Sequence, residues 1–220
     1  MKTFLKKIST PFMQWWFKTY YSKPRSYSYN NINLTIHPGV FPPKYTFSTK
    51  ILLKHLETLD LKSKTLLELG CGSGIISLIA NKKGAIVTSS DINGNALNQL
   101  EKSANKNSLK LHILKSDLFN KITKIHFDYI IINPPYYPKK PKSIDESAWY
   151  CGENYEYFVN LFQQLPCYVK SKSYVLMILS ENCDIEKIQT IAHSNNLDLK
   201  IIKMNTNFWE TNYLFEIIEK

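Results

Sequence analysis

The chain has 220 residues, 44% hydrophobic and 21% charged, enough for one α/β domain with a sizeable core. No apolar run approaches the ~18 residues that would cross a bilayer, and the four cysteines, Cys71, Cys151, Cys167 and Cys183, form neither a Cys-x-x-Cys pair nor a cluster with histidine. A membrane-spanning helix, a disulfide framework and a zinc site are thereby excluded, and a reduced, cytoplasmic setting is expected for a chain whose net charge is +10.

That charge is unevenly spread. No acidic residue precedes Glu57, whereas nine basic residues do, leaving nineteen basic against eighteen acidic in the remainder. Residues 1–45 therefore read as a basic amino-terminal extension, with Trp15, Trp16, Phe17, Tyr20, Tyr21, Tyr27 and Tyr29 set between the lysines. Pro11 and Gln14 interrupt the first apolar stretch and no small-residue cleavage site follows, so it does not read as a signal peptide. Two readings stand: a short helix and extended arm packed on the main domain, or a platform contacting an anionic partner such as RNA, ribosome or membrane surface. With one arginine in the chain, Arg25, any nucleic-acid affinity would come from lysine point charges.

The segment from Thr46 to Leu59 has helical spacing, and residues 46–220 read as the main domain. Thr65–Leu69 is a short apolar strand running into Gly70-Cys71-Gly72-Ser73-Gly74, and a helix follows. Strand, glycine turn and helix form the nucleotide-binding opening of a Rossmann-like sheet. The spacing is Gly-x-Gly-x-Gly, which argues against a nicotinamide-dependent oxidoreductase. A second strand, Ile86–Asp91, ends in an acid able to accept from ribose hydroxyls, and Asn93 is the expected N-cap of the next helix. A third, Leu111–Leu114, leads to Asp117, a second strand-end carboxylate on the same rim, fit to accept from an exocyclic amine.

The run from Phe127 to Ile132 reads as a buried strand stopped by Asn133-Pro134-Pro135-Tyr136. The prolines fix φ near −65° and make the loop rigid. It is either a simple turn or a grip for a planar amine, with an amide side chain, bare carbonyls and an aromatic ring at a strand's carboxyl end. Lys139, Lys140 and Lys142 follow in a proline-stiffened loop that either guides an anionic substrate or is merely solvated. Helices are expected over 154–169 and 185–193, a strand over 174–179, and a closing antiparallel pair over 197–204 and 213–218. The expected fold is a Rossmann-like open sheet of about seven strands, mostly parallel with an antiparallel final strand and helices on both faces. The five histidines do not cluster, and no metal is expected.

These motifs resemble class I S-adenosylmethionine-dependent methyltransferases, in particular the branch with an Asn-Pro-Pro-Tyr motif. The resemblance covers roughly residues 46–220. It implies a cofactor site built from Glu68, Gly70, Cys71, Gly72, Gly74, Asp91, Asp117 and Asn133. It implies catalysis by Asn133, Pro134, Pro135 and Tyr136, with Tyr136, Lys139 and Lys140 toward the substrate. Branch members methylate planar nitrogens, namely glutamine amides of release factors or ribosomal protein and exocyclic amines of RNA or DNA bases. Asp117-Leu118-Phe119 and Gly152-Glu153-Asn154 look most like the release-factor glutamine enzymes, which carry a separate helical domain where this chain has residues 1–45. The expected partner is RNA, a ribosomal protein or a release factor. A methyltransferase-like binder of RNA or a membrane surface, without chemistry, is the alternative.

Overall fold

The computed structural model describes residues 22–40, 42–44, 46–208 and 210–220. The expected aromatic and lysine-rich stretch through Tyr21 lies outside the described residues. The first described elements are strands β1 (Arg25–Tyr29) and β2 (Ile32–Ile36), an antiparallel hairpin. Asn30 and Asn31 turn it at φ 46° and 60°, the left-handed pair that a two-residue hairpin loop demands and asparagine tolerates. Ile32, Leu34 and Ile36 alternate with polar residues, so one face of β2 is buried. These two strands are additional to those expected from the sequence.

Helix α1 (Phe47–Thr58) is followed by alternating strands and helices: β3 (Thr65–Leu69), α2 (Ile75–Lys82), β4 (Ile86–Asp91), α3 (Gly94–Lys106) and β5 (His112–Lys115). Then come β6 (Tyr129–Ile132), α4 (Glu156–Gln164), β7 (Tyr174–Ser180), α5 (Ile185–His193), β8 (Leu197–Thr206) and β9 (Thr211–Glu219). Helix α4 is shorter than the expected 154–169 because Pro166 cannot continue it, and a 3-10 turn, Leu165–Tyr168, takes over.

The seven strands lie in the order β5-β4-β3-β6-β7-β9-β8. β3 to β7 are parallel, and β9 inserts antiparallel between β7 and β8. Alternation along the central strands feeds two cores. Leu66 and Ile131 face the cluster containing α1, α2, α3 and the β2 residues, while Leu67, Leu69, Ile130 and Ile132 face the cluster containing α4 and α5. No described helix is long and apolar enough to cross a membrane.

The order reverses between β3 and β6. From β3 the chain moves outward to β4 and β5, then returns to β6 on the other side and moves outward to β7. Loops at such a switch point diverge and leave a crevice beyond the carboxyl ends of the strands.

Candidate active site

Strand register brings the predicted residues together. Leu69 is level with Ser90 on β4 and with Ile132 on β6, and Asp91 is level with Lys115 on β5. The glycine loop, Asp91, Asp117 and Asn133 thus leave the sheet side by side. Gly70 to Ser73, Asp91, Asp117 and Asn133 line one cavity of about 630 Å³, together with Glu68, Pro134, Pro135, Tyr136 and Lys140, whereas Gly74 does not line it and faces Leu100. Lys139 does not line the cavity; its ammonium lies 4.7 Å from the centre of the ring of Tyr150, which does.

The glycine loop is shaped by its own backbone. Gly70, Gly72 and Gly74 have φ of 73°, 51° and 69°, conformations that L side chains avoid. A Cβ on Gly70 would meet nothing within 4 Å, so the space above that turn is open, whereas one on Gly74 would lie 2.3 Å from Leu100 Cδ1. The Gly70 and Cys71 N–H groups both donate to the Ser90 carbonyl at 2.9 Å. Asp91 ties the same loop down: its Oδ2 accepts from the Gly72 N–H at 2.7 Å and its Oδ1 from the Asn93 N–H at 2.8 Å. A carboxylate has further lone pairs, so both oxygens can also accept from a ligand. Asn93 caps α3 by accepting from the Asn95 and Ala96 N–H groups, as its position predicts.

The electrostatics of the wall favour a cationic guest. Glu68 is buried and accepts from both the N–H and the hydroxyl of Ser77, and that hydroxyl also accepts from Ser89 Oγ at 2.7 Å. Burial pushes its carboxyl up to about 8; the Ser77 hydrogen bonds oppose this and the nearby Asp91 adds to it. Burial likewise raises Asp91, while the Asn93 and Gly72 N–H groups pull it back. Asp117 stands exposed on the same rim. Ser90 Oγ, also on the wall, is buried and unpartnered. An ammonium or sulfonium in the cavity would favour the charged forms of Glu68 and Asp91 against burial, so these residues fit S-adenosylmethionine, which carries both.

The walls over the cavity are not among the residues expected from the sequence. Residues 138–150 fold back so that the Tyr137 N–H donates to the Trp149 carbonyl at 3.1 Å and the Cys151 N–H to the Tyr137 carbonyl at 3.0 Å. Ile144, Trp149, Tyr150 and Gly152 line the cavity from this loop, and Tyr157 from α4. Burial, with Asp91 and Asp117 nearby, pushes the Tyr157 hydroxyl up, which keeps it a neutral donor. Gly39 and Val40 close the other side, with Gly39 so near Asp145 that a Cβ would sit 2.7 Å from Oδ1. The signal for these walls is Gly39 and Gly152, whose φ values of 79° and 90° mark close approaches.

Comparisons with known proteins agree with this geometry. Residues 31–149 match the methyltransferase small domain family. A putative protein N5-glutamine methyltransferase of Methanocaldococcus jannaschii is 35% identical over 176 residues, covering 77% of this chain and 86% of that protein. The ribosomal RNA small subunit methyltransferase C of Haemophilus influenzae is 34% identical over 146 residues, 60% of this chain but 43% of that longer protein. The crystal structure of ribosomal protein L11 methylase from Lactobacillus delbrueckii superposes with a TM-score of 0.61 at 21% identity, covering 84% of each chain, and shares the fold. The chain therefore belongs to the methyltransferase small domain family and is an S-adenosylmethionine-dependent methyltransferase.

Proposed function

We propose that the chain methylates a planar nitrogen, and that the favoured substrate is a glutamine amide of a protein of the translation apparatus. The observation that carries this reading is the register placing the glycine loop, Asp91 and Asn133 on adjacent strand ends. S-adenosylmethionine, when bound, supplies a methyl already activated on a sulfonium. The chain's own task is then alignment of a nitrogen lone pair that is delocalised in the ground state. Asn133 Oδ1 and the Pro134 carbonyl would accept the two N–H hydrogens of the amide. This favours a pyramidal nitrogen and stabilises the positive charge that develops on it. Tyr136 would stack on the amide plane. Glu68, Gly70, Cys71, Gly72, Asp91 and Asp117 would hold the cofactor, and Lys139 and Lys140 the substrate's approach.

A polypeptide is favoured over RNA by the sign of the mouth. Asp145, Glu146, Glu153 and Glu156 outnumber Lys139, Lys140 and Lys142 there, a poor setting for phosphates. The similarity to a putative glutamine methyltransferase along most of both chains supports the same choice. A nucleobase amine is the second reading, supported by the ribosomal RNA relative and by those three lysines. The lysines of the acid-free segment 1–45 would add contact with an anionic partner, while the buried face of β2 holds the segment to the domain. Transfer of labelled methyl onto purified ribosomal and release-factor proteins and onto total cellular RNA tests the choice. N5-methylglutamine in proteolytically digested protein, or labelled methylamine released by acid hydrolysis, is the expected product; label only in nucleosides would select the second reading, and no transfer would leave a binding protein.

The cofactor role of Asp91 predicts a separate result. Asp91→Ala should weaken S-adenosylmethionine binding in calorimetry by ~1.5–3 kcal/mol, the range for losing a hydrogen bond to a charged group. Part of that loss would come through a loosened glycine loop, since Asp91 also holds the Gly72 N–H. Unchanged affinity would remove Asp91 from the site.

A further inference from the structure

The sheet sorts charge between its two ends. Carboxylates gather at the carboxyl ends of the strands, around the cavity. Lysines precede the parallel strands at the opposite end: Lys64 before β3, Lys83 before β4, Lys110 before β5, Lys124 before β6, and Lys170 and Lys172 before β7. All of them but the half-buried Lys83 are exposed. The carboxylates in the same loops are Asp60 and Asp128, with Glu216 of the neighbouring β9 near Tyr174, and Asp128 is already committed. Its Oδ1 pairs with Lys170 Nζ at 2.8 Å, and its Oδ2 accepts from the Thr65 N–H and hydroxyl.

Within this end lies a hollow of about 310 Å³ lined by Lys64, Lys170 and Lys172 with Asp128, Tyr129 and Tyr174. The two tyrosine rings are half-buried and meet edge to face, with centroids 6.1 Å apart at 90°. Their hydroxyls are held, Tyr129 donating to the Asp60 carbonyl at 3.2 Å and Tyr174 lying 3.4 Å from His55 Nε2. Amines around a concavity with fixed aromatic walls suit a sugar-phosphate chain better than a bilayer, whose plane cannot follow a hollow. β7 alone, at seven residues, separates the two ends by roughly 20 Å, beyond the ~8 Å screening length of physiological salt, so each end acts on its own partner.

We propose that the amino-terminal end of the sheet, centred on the hollow between Lys64, Lys170 and Lys172, is a docking surface for the phosphate backbone of RNA. The methyltransferase would sit on RNA through this face while its acidic mouth, on the far side, stays open to substrate. The inference is independent of which nitrogen is methylated.

The test uses the full-length protein, a labelled single-stranded 20-nucleotide RNA and fluorescence anisotropy across a salt series. Lys64→Glu/Lys172→Glu reverses two exposed lysines, leaves Lys170 on Asp128 and leaves residues 1–45 intact. Binding should weaken ~tenfold or more at low salt, and the log–log salt slope should fall by about 1.4, from two contacts at ~0.7 each. The melting temperature and S-adenosylmethionine affinity should stay at the unaltered protein's values, which separates this result from a failure of the catalytic site. An unchanged slope in a folded variant would overturn the proposal and assign RNA contact elsewhere. Absence of RNA binding by the unaltered protein would overturn it too, as would capture by phosphatidylserine vesicles in place of RNA.

Discussion

Replacing Asn133 by alanine is expected to lower methyl transfer by roughly 10²–10³, the loss that follows removal of one preorganised electrostatic contact from a transition state. Cofactor affinity should hardly change. Asn133 leaves β6 one residue after Ile132, and the fixed φ of Pro134 and Pro135 allows its loop little room to relax around a smaller side chain. Among the described residues no side chain or backbone group hydrogen-bonds to the Asn133 amide, so the substitution breaks no internal hydrogen bond and should not unfold the loop. The lost acceptor would leave one N–H of the substrate nitrogen ungripped, and its lone pair would stay in conjugation. Turnover of the identified substrate and calorimetric titration of S-adenosylmethionine, measured on the same preparation, separate the two effects. A variant retaining more than about a tenth of wild-type turnover would remove Asn133 from the reaction, because a contact of this kind accounts for more.

Much of this site is legible in the amino-acid sequence, for a local reason. A strand such as Thr65–Leu69 that is buried on both faces must be mostly apolar, here with Glu68 the one buried acid, and the glycine turn after it is a property of neighbouring residues. The sequence expectations for β3, β4 and α5 agree with the observed bounds. The rest depends on contacts between distant segments. The loop 138–150 is ordered by hydrogen bonds from Tyr137 to Trp149 and Cys151, which nothing in its basic, proline-rich composition specifies. Its lysines suggest a cationic rim, yet the fold sets Asp145 against Gly39 and turns Lys139 onto Tyr150. The β1–β2 hairpin is hard to read because its outward positions are serine and asparagine and its strands are only five residues long. Its legible signal is the Asn30-Asn31 pair between alternating residues.

That hairpin gives the other large effect. A chain beginning at His37 should unfold or aggregate at temperatures where the full chain is folded. Ile32, Leu34 and Ile36 are 2%, 3% and 1% exposed and belong to the core cluster that contains α2 and α3. Burying each contributes about 1.5–3 kcal/mol, an upper estimate, so together they rival the roughly 5–15 kcal/mol that holds a typical domain folded. Polar links reinforce the seam. Asn33 and Asn107 exchange two hydrogen bonds, from the Asn33 N–H at 3.0 Å and to its carbonyl at 2.8 Å, and Tyr29 donates to Glu57 at 2.7 Å. Truncation would leave Asn107, Glu57 and the apolar flank of α2 and α3 facing water, an exposed patch prone to association. Leu34→Ala in the full chain isolates the packing contribution from any loss of basic residues and should lower stability by ~2–5 kcal/mol in denaturant titration. If the His37 chain instead stays soluble, melts at the full chain's temperature and binds S-adenosylmethionine, the hairpin is an appendage, and loss of macromolecular binding alone would make it a docking arm. Buried alternation along β2 argues for the first outcome, because a docking arm has no reason to hide every second side chain from its partner.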